Sequence, residues 1–315
     1  MQQGAQEFIR GIANLQPRHR GSVVTIGSFD GVHLGHKTIV RQVRDQAQRL
    51  RLASVVMTFE PQPHEYFAGE KAPARLMRVR DKAKALFEAG VDRVFCVTFN
   101  RRFSSLSAEE FVKQILVDGL GVKYLVIGDD FRFGCDRSGD YQFLLDAGKR
   151  YGFEVTDTQT LMLDSERISS TRIRAALEAS DFRLAERLLG RPYKIEGKVI
   201  RGQQLARQWD MPTANVQLHR YRSPLNGVFA VEVSLADGQL LQGVANVGVR
   251  PTIGGENTPI LEVHLFDFEG DIYEQEIAVE FKHKLRDEQK FDSLDELKQQ
   301  IYRDKDEAQA WFAAR

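Results

Sequence analysis

The sequence predicts an α/β domain built on a doubly wound parallel sheet, followed by an antiparallel β-domain that ends in helix. Three observations carry this expectation. Residues 22 to about 160 alternate short apolar runs with helix-period segments, the pattern of strands joined by crossover helices. From Tyr193 onward the apolar runs are short and separated by Gly, Pro, Asn and Asp, which reads as an antiparallel barrel or sandwich. The length, 315 residues, suits two domains that each bury a core.

In the first domain the predicted strands are 22–26, 53–59, 93–99, 123–128 and 153–158, and the predicted helices 37–50, 78–89, 108–116 and 141–151. Ser107, with Glu110 three positions on, offers a capping box to the third helix, and Gly90 offers a stop to the second. In the second domain the predicted strands are 194–201, 227–235, 239–247, 260–266 and 277–284, with a hairpin at Ala236-Asp237-Gly238. Residues 293–302 and 306–312 return to the helical period, so one or two helices close the chain. The change of pattern falls between Leu189 and Pro192, after a short helical stretch at 181–188, and the domains are assigned to 1–185 and 186–315.

Composition excludes several classes of function. With 44 basic and 44 acidic side chains spread along the chain, there is no electrostatic footprint for nucleic acid or an anionic membrane. Cys96 lies in an apolar run and Cys135 in a Gly-containing loop, neither in a C-x-x-C pair, which suggests a reducing compartment. No signal-peptide core and no stretch approaching the ~20 apolar residues of a membrane span is present, so a soluble, cytoplasmic protein is expected.

Residues 27–36 read G-S-F-D-G-V-H-L-G-H and lie where the first strand turns into the first helix. Glycines there let the backbone approach a ligand, and free N–H groups at a helix start favour an anion. His33 and His36, three residues apart, put two imidazoles on one side of that turn, which suggests phosphate chemistry.

This segment resembles the H-x-G-H signature of the nucleotidylyltransferase superfamily. At full length it looks like the flavin branch, the adenylyltransferase half of bacterial bifunctional riboflavin kinase/FAD synthetases. Three further segments match that family at the ends of later strands or at a helix start: Phe59-Glu60-Pro61, residues 128–134 (G-D-D-F-R-F-G) and residues 168–174 (I-S-S-T-R-I-R). The resemblance implies that the phosphate of FMN attacks the α-phosphorus of ATP, releasing pyrophosphate without a covalent enzyme intermediate. It implies His33 and His36 as donors to phosphate oxygens, Gly27, Ser28, Phe29, Asp30 and Gly35 around ATP, and Ser170, Thr171 and Arg174 on the triphosphate. Phe59, Asp130, Phe131 and Phe133 are its flavin candidates. Core is the default reading of the phenylalanines, and the two aspartates read equally as turn formers. Gln62 stands where the family commonly has His, and His64 follows two positions later, so neither receives a role.

Residues 197–202 (G-K-V-I-R-G) followed by Pro212-Thr213-Ala214-Asn215 resemble the G-x-V-x-x-G and P-T-A-N pattern of riboflavin kinase. The resemblance places Gly197, Val199, Gly202, Arg207 and Asn226 around ATP, and makes Thr213 and Asn215 hard, neutral ligands for Mg2+. Asp210-Met211 stands where Gly-Phe is usual, and Ala206 where Gly is common. In residues 261–267 (L-E-V-H-L-F-D), alternation puts Leu261, Val263 and Leu265 on one face and Glu262 with His264 on the other. Unaided, that pattern is a solvated strand face. The match to E-x-H-L-F-D implies instead that Glu262 is the base accepting the proton of the riboflavin 5′-hydroxyl. Residues 243–252 and 285–291 also look like the kinase, implying Arg286 and Glu288 near flavin, although each reads equally as turn or surface charge.

Together the resemblances imply a nucleotidylyltransferase-like α/β domain followed by a riboflavin-kinase-like β-barrel with a C-terminal helix. They imply an enzyme that makes FMN from riboflavin and FAD from FMN, with ATP, ADP and pyrophosphate as its other small-molecule partners. Two rival readings are a nucleotidyltransferase of another substrate class with an appended β-domain, and a flavin-binding regulatory protein with one decayed site. P-T-A-N and E-V-H-L-F-D argue against the first; retention of His33, His36, Thr213, Asn215 and Glu262 argues against the second.

Overall fold

The computed structural model describes residues 6–128, 130–158, 160–201, 211–218, 220–251 and 257–315, excepting the side chains of 250, 251, 257 and 258. The chain forms two compact units, Met1–Ala72 with Val79–Ser169, and Pro73–Arg78 with Ser170–Arg315.

In the first unit, β1 (Glu7–Arg10), β2 (Ser22–Ile26), β3 (Ala53–Glu60), β4 (Arg93–Thr98), β5 (Val122–Ile127) and β6 (Glu154–Asp157) make one parallel sheet, in the order β1-β4-β3-β2-β5-β6. The helices are α1 (Leu34–Leu50), α2 (Pro63–Ala68), α3 (Val79–Glu88), α4 (Arg101–Ser104), α5 (Ala108–Phe111) and α6 (Tyr141–Tyr151), with a hairpin of β7 (Met162–Leu163) and β8 (Glu166–Arg167). The five predicted strands are all present. β1 is an addition, a short edge strand whose charged ends hide it in the sequence. β2 is buried along its whole length, as expected of a strand covered on both faces. The chain builds outward from β2 through β3 to β4, then returns to set β5 on the other side of β2. That reversal opens a crevice at the carboxyl ends of β2 and β5, the place where such sheets take ligands.

The predicted caps form: Glu110 N–H donates to Ser107 Oγ at 3.2 Å and Ser107 N–H to Glu110 Oε2 at 2.8 Å. The helix they start continues from α5 into wider π-type turns over Val112–Gly119, where a plain α-helix is expected from the sequence.

The second unit holds α7 (Ser170–Glu178), α8 (Phe182–Leu189) and six strands: β9 (Lys194–Ile200), β10 (Thr213–Gln217), β11 (Gly227–Ser234), β12 (Leu240–Pro251), β13 (Asn257–Leu265) and β14 (Glu276–Arg286). They close an antiparallel barrel in the order β10-β13-β12-β11-β14-β9. β10 is the strand the sequence reading omits, because P-T-A-N reads as a ligand motif rather than as the start of a strand. The hairpin at Gly238 (φ 89°) forms as predicted. Phe182 of α8 packs its ring 6.0 Å from Phe229 and 6.3 Å from Phe281, tying α8 to the barrel. Residues Pro73–Arg78 are held in this unit as well: Arg220 Nη1 donates to the Arg75 carbonyl at 2.8 Å, and Arg174 Nε to that of Ala74.

A single helix, α9 (Leu294–Ala313), ends the unit and packs Ala308, Trp311 and Phe312 against Val228, Ala230 and Val244 of the barrel wall. Arg286 at the end of β14 pins it through two parallel bonds to Asp304, Nε–Oδ1 at 2.8 Å and Nη2–Oδ2 at 2.7 Å. Asp304 is buried and Arg286 largely so, and removing one partner strands the other charge. Asp304→Ala is expected to cost this unit about 3 kcal/mol. Denaturant titration of the purified protein checks it, and an unchanged midpoint would show that the pair is dispensable.

Candidate active sites

Beyond β2 the chain crosses the crevice in a strained turn. Phe29 (φ 48°), Gly31 (φ 86°) and Val32 (φ 40°) all take left-handed backbone angles. Glycine does so freely, whereas a β-branched valine does not, and each such residue costs about 1–3 kcal/mol. Packing and hydrogen bonds hold the turn. Phe29 and Val32 are buried, Gly27 N–H donates to the Met57 carbonyl at 3.1 Å, and the Ser28 carbonyl accepts from Lys82 Nζ at 2.6 Å and Thr58 Oγ1 at 3.2 Å.

His33 closes the turn as the N-cap of α1, its Nδ1 accepting from His36 N–H at 3.2 Å. α1 therefore begins at Leu34, earlier than its sequence period suggests. Accepting at Nδ1 leaves the ring proton on Nε2, which makes that nitrogen a donor. The His36 ring stacks on His33 with centroids 3.6 Å apart and planes 16° from parallel. Gly35 permits this, since a Cβ there would press within 3.2 Å of the His33 ring. Burial, and after it His33, Lys82 and Arg167, hold the His36 imidazole well below its ordinary value of 6.5, so it is neutral at pH 7. Its Nδ1 is buried with no hydrogen-bond partner among the described residues. A neutral His36 ring on a helix start, beside a turn that the buried Lys82 of α3 already contacts at the Ser28 carbonyl, suits an anionic ligand.

On the barrel, strand register builds a second cluster. Asn215 of β10 lies directly opposite Glu262 of β13, and Glu262 directly opposite Asn246 of β12. Next along β10 and β13, Thr213 lies opposite His264. His264 Nδ1 meets the Pro212 carbonyl at 3.0 Å, so Nδ1 carries the proton and Nε2 is a buried acceptor with no partner among the described residues. Burial keeps this ring neutral, lowering its pKa. Thr213 and His264 border a cavity of about 940 Å3 that also takes in Val199, Arg201, Asp267 and Tyr273. Asn215 is 3% exposed, and its Oδ1 has no hydrogen-bond partner among the described residues.

Residues 15–172 match the FAD synthetase family and residues 189–312 the riboflavin kinase family. The bifunctional riboflavin kinase/FMN adenylyltransferase of Pseudomonas fluorescens is 56% identical over 307 residues, 98% of each chain. The chain belongs to the bifunctional riboflavin kinase/FMN adenylyltransferase family. The protein of that name from Escherichia coli (strain K12) is 50% identical, over 97% of this chain and 98% of its own. A solved structure described as a macrolide-efflux protein from Streptococcus pneumoniae superposes with a TM-score of 0.75 at 31% identity, covering 94% of this chain and 97% of that one. No helix among the described residues of this family member is long and apolar enough to cross a membrane.

Within this family member the structure brings Gly27, Ser28, Phe29, Asp30, His33, Gly35 and His36 together as the sequence predicts. Ser170, Thr171 and Arg174 fall on α7 in the second unit. Of the aromatic flavin candidates, Phe59 and Phe133 are core. Phe59 packs on Phe99 and Phe103, and Phe133 on Phe111, Phe143 and Phe131. Only Phe131 is partly exposed; Asp130 is exposed and pairs with Arg167 at 3.4 Å. The exposed aromatics after β3 are instead Tyr66 and Phe67 of α2, the latter 72% exposed, with Phe99 ring-to-edge beside both.

In the barrel, Gly197 answers a packing need, because a Cβ there would collide with Val216 Cγ1. Val199 and Thr213 line the cavity, but Asn226 does not; its Nδ2 donates to Glu288 Oε2 at 3.2 Å. Arg286 is committed to Asp304 rather than free for flavin. Gly202 and Arg207 lie outside the described residues. The burial of two polar residues is not signalled by the sequence. Lys82 sits in a run of charges that looks solvated yet is 1% exposed, and Gln62 is 0% exposed with neither amide atom hydrogen-bonded among the described residues.

Proposed function

We propose that the two activities of the family divide along the chain, with residues 1–185 transferring the adenylyl group and residues 186–315 the phosphoryl group. The chain is a riboflavin kinase and FMN adenylyltransferase, and the division says which side chains serve which reaction. The observation that carries it is the separate assembly of two chemistries: stacked His33 and His36 on the strained turn of one unit, and Glu262 beside Asn215 in the other.

In adenylyl transfer, an FMN phosphate oxygen attacks the α-phosphorus of ATP and pyrophosphate leaves. His33 Nε2–H and the His36 ring meet phosphate oxygens at the helix start, where charge shifts from the attacked phosphorus to the leaving group. Asp130 and Phe131 are proposed to border flavin.

In phosphorylation, Glu262 takes the 5′-hydroxyl proton of riboflavin as that oxygen attacks the γ-phosphorus, and ADP leaves. The unpartnered Oδ1 of Asn215 and the Thr213 hydroxyl are hard neutral donors that fit Mg2+. Among the described residues no cluster of three or more His, Cys, Asp or Glu side chains rivals them as a metal site. Bound there, Mg2+ would neutralise phosphate charge. The cavity beyond Thr213, with Arg201 and the His264 acceptor, suits the nucleotide, and Glu288 and Asn226 on the far side suit flavin. The balanced charge argues against nucleic acid or an anionic membrane as partner, and two free cysteines support a cytoplasmic location.

Chromatographic separation of the products formed from riboflavin, Mg2+ and ATP tests the reading, with FMN and then FAD expected. A fragment of residues 186–315 should make FMN and no FAD. Because Phe182 belongs to the barrel unit, a fragment of residues 170–315 should be more stable than the shorter one, by about 2 kcal/mol for the Phe182 side chain. Equal melting of the two fragments would show that α8 packs without stabilising.

A further inference from the structure

The row made by Asn215, Glu262 and Asn246 has a direction. Residues directly opposite on neighbouring strands share a face, with Cβ atoms about 4.5–5.5 Å apart. Flanking positions Ala214, Leu261, Val263, Ala245 and Val247 are buried on the other face of the wall. On the Asn215 flank lie Thr213, His264 and the large cavity. On the Asn246 flank lies Gly248, where a Cβ would collide with Glu288 Oε1 and come within 3.3 Å of Asn246 Nδ2; Glu288 in turn accepts from Asn226. Asn246 Nδ2 and Glu288 Oε1 thus both lie on the Gly248 side of the row. Its Oδ1 is buried with no hydrogen-bond partner among the described residues.

An unmatched buried acceptor costs about 1–3 kcal/mol, and a ligand that brings a donor recovers it. The neighbouring Glu262 carboxylate is an acceptor when ionised and cannot serve. Phosphate groups and a metal ion bring no donor either, and they belong on the Asn215 flank. The remaining reactant is riboflavin, whose terminal hydroxyl must sit at Glu262 and whose ribityl chain carries further hydroxyls beside it. We propose that Asn246 is a riboflavin-binding residue, its Oδ1 accepting a hydrogen bond from the ribityl hydroxyl adjacent to the one that reacts. The proposal rests on the reading of Glu262 as the kinase base. Metal ligand, base and ribityl acceptor then stand side by side on three neighbouring strands, nucleotide to one side and flavin to the other.

The test uses the full chain and follows riboflavin phosphorylation, with lumiflavin, which has the ring system and no ribityl chain, as a competitive inhibitor. Asn246→Leu should raise the riboflavin KM about 10-fold while leaving the lumiflavin inhibition constant, the MgATP KM and the conversion of supplied FMN to FAD unchanged. Asn246→Ser, smaller and polar, should show the same split with an unchanged melting temperature, and decides the matter if the leucine variant does not fold. An unchanged riboflavin KM, or a parallel weakening of lumiflavin, would overturn the proposal. Glu262→Gln in the same assay separates the two ideas: undiminished turnover there removes the base, whatever Asn246 shows.

Discussion

Glu262→Gln should lower the turnover of riboflavin phosphorylation at saturating riboflavin and MgATP by about 10²- to 10⁴-fold, the usual contribution of a general base. Glutamine keeps the shape and the strand register with Asn215 and Asn246, so binding and folding should change little. Supplied FMN should still be converted to FAD at the normal rate, because His33 and His36 lie in the other unit. Thr213→Val and Asn215→Leu should behave differently, raising the Mg2+ and ATP concentrations needed, since each removes an oxygen donor. Steady-state kinetics across Mg2+ concentrations distinguish the two patterns. Wild-type turnover in Glu262→Gln would return this carboxylate to the solvated strand face that its alternation suggests.

His33→Ala and His36→Ala should each slow FAD formation about 10²-fold and spare phosphorylation, since each removes a donor to shifting phosphate charge. His33 carries a second burden as the N-cap of α1, worth about 1 kcal/mol, so His33→Asn is the cleaner variant: it keeps a capping group and loses the ring donor. His36 also predicts an acid limb in stability. Its folded pKa lies below the unfolded value near 6.5, so its contribution is complete above that pH and is lost as pH falls toward the folded value. Replacing it with Asn should flatten the decline of the melting temperature below pH 6.5. A double variant with unchanged FAD formation would remove these rings from the reaction.

The architecture was legible because its signals are local: alternating apolar runs, the Ser107 box, Gly90 and the Asp237-Gly238 turn all reappear where their chemistry places them. What the sequence hides is long-range. The commitment of Arg286 to Asp304 joins a strand to a helix, and nothing in L-R-D-E-Q-K-F signals it. Lys82 and Gln62 are polar letters in polar surroundings, and only packing reveals that both are buried. Phe59 and Phe133 illustrate the reverse. A strand-end phenylalanine reads equally as core or ligand contact, and here neighbouring rings claim both. The Asn215–Glu262–Asn246 row depends on register across three strands, which residue spacing alone does not specify.

Residues Pro73–Arg78 are counted with the barrel unit although they interrupt the chain of the α/β unit, between Ala72 and Val79. During synthesis they leave the ribosome long before β9 to β14 exist. Vectorial folding would let the α/β unit form early, as domains generally do in chain order, but this short segment must wait with Leu76, whose final place is fully buried, still exposed to water. In the full chain Leu76 therefore reaches its buried place only once the barrel has been made, and a ribosome-stalled product ending before β14 would present that apolar segment to chaperones.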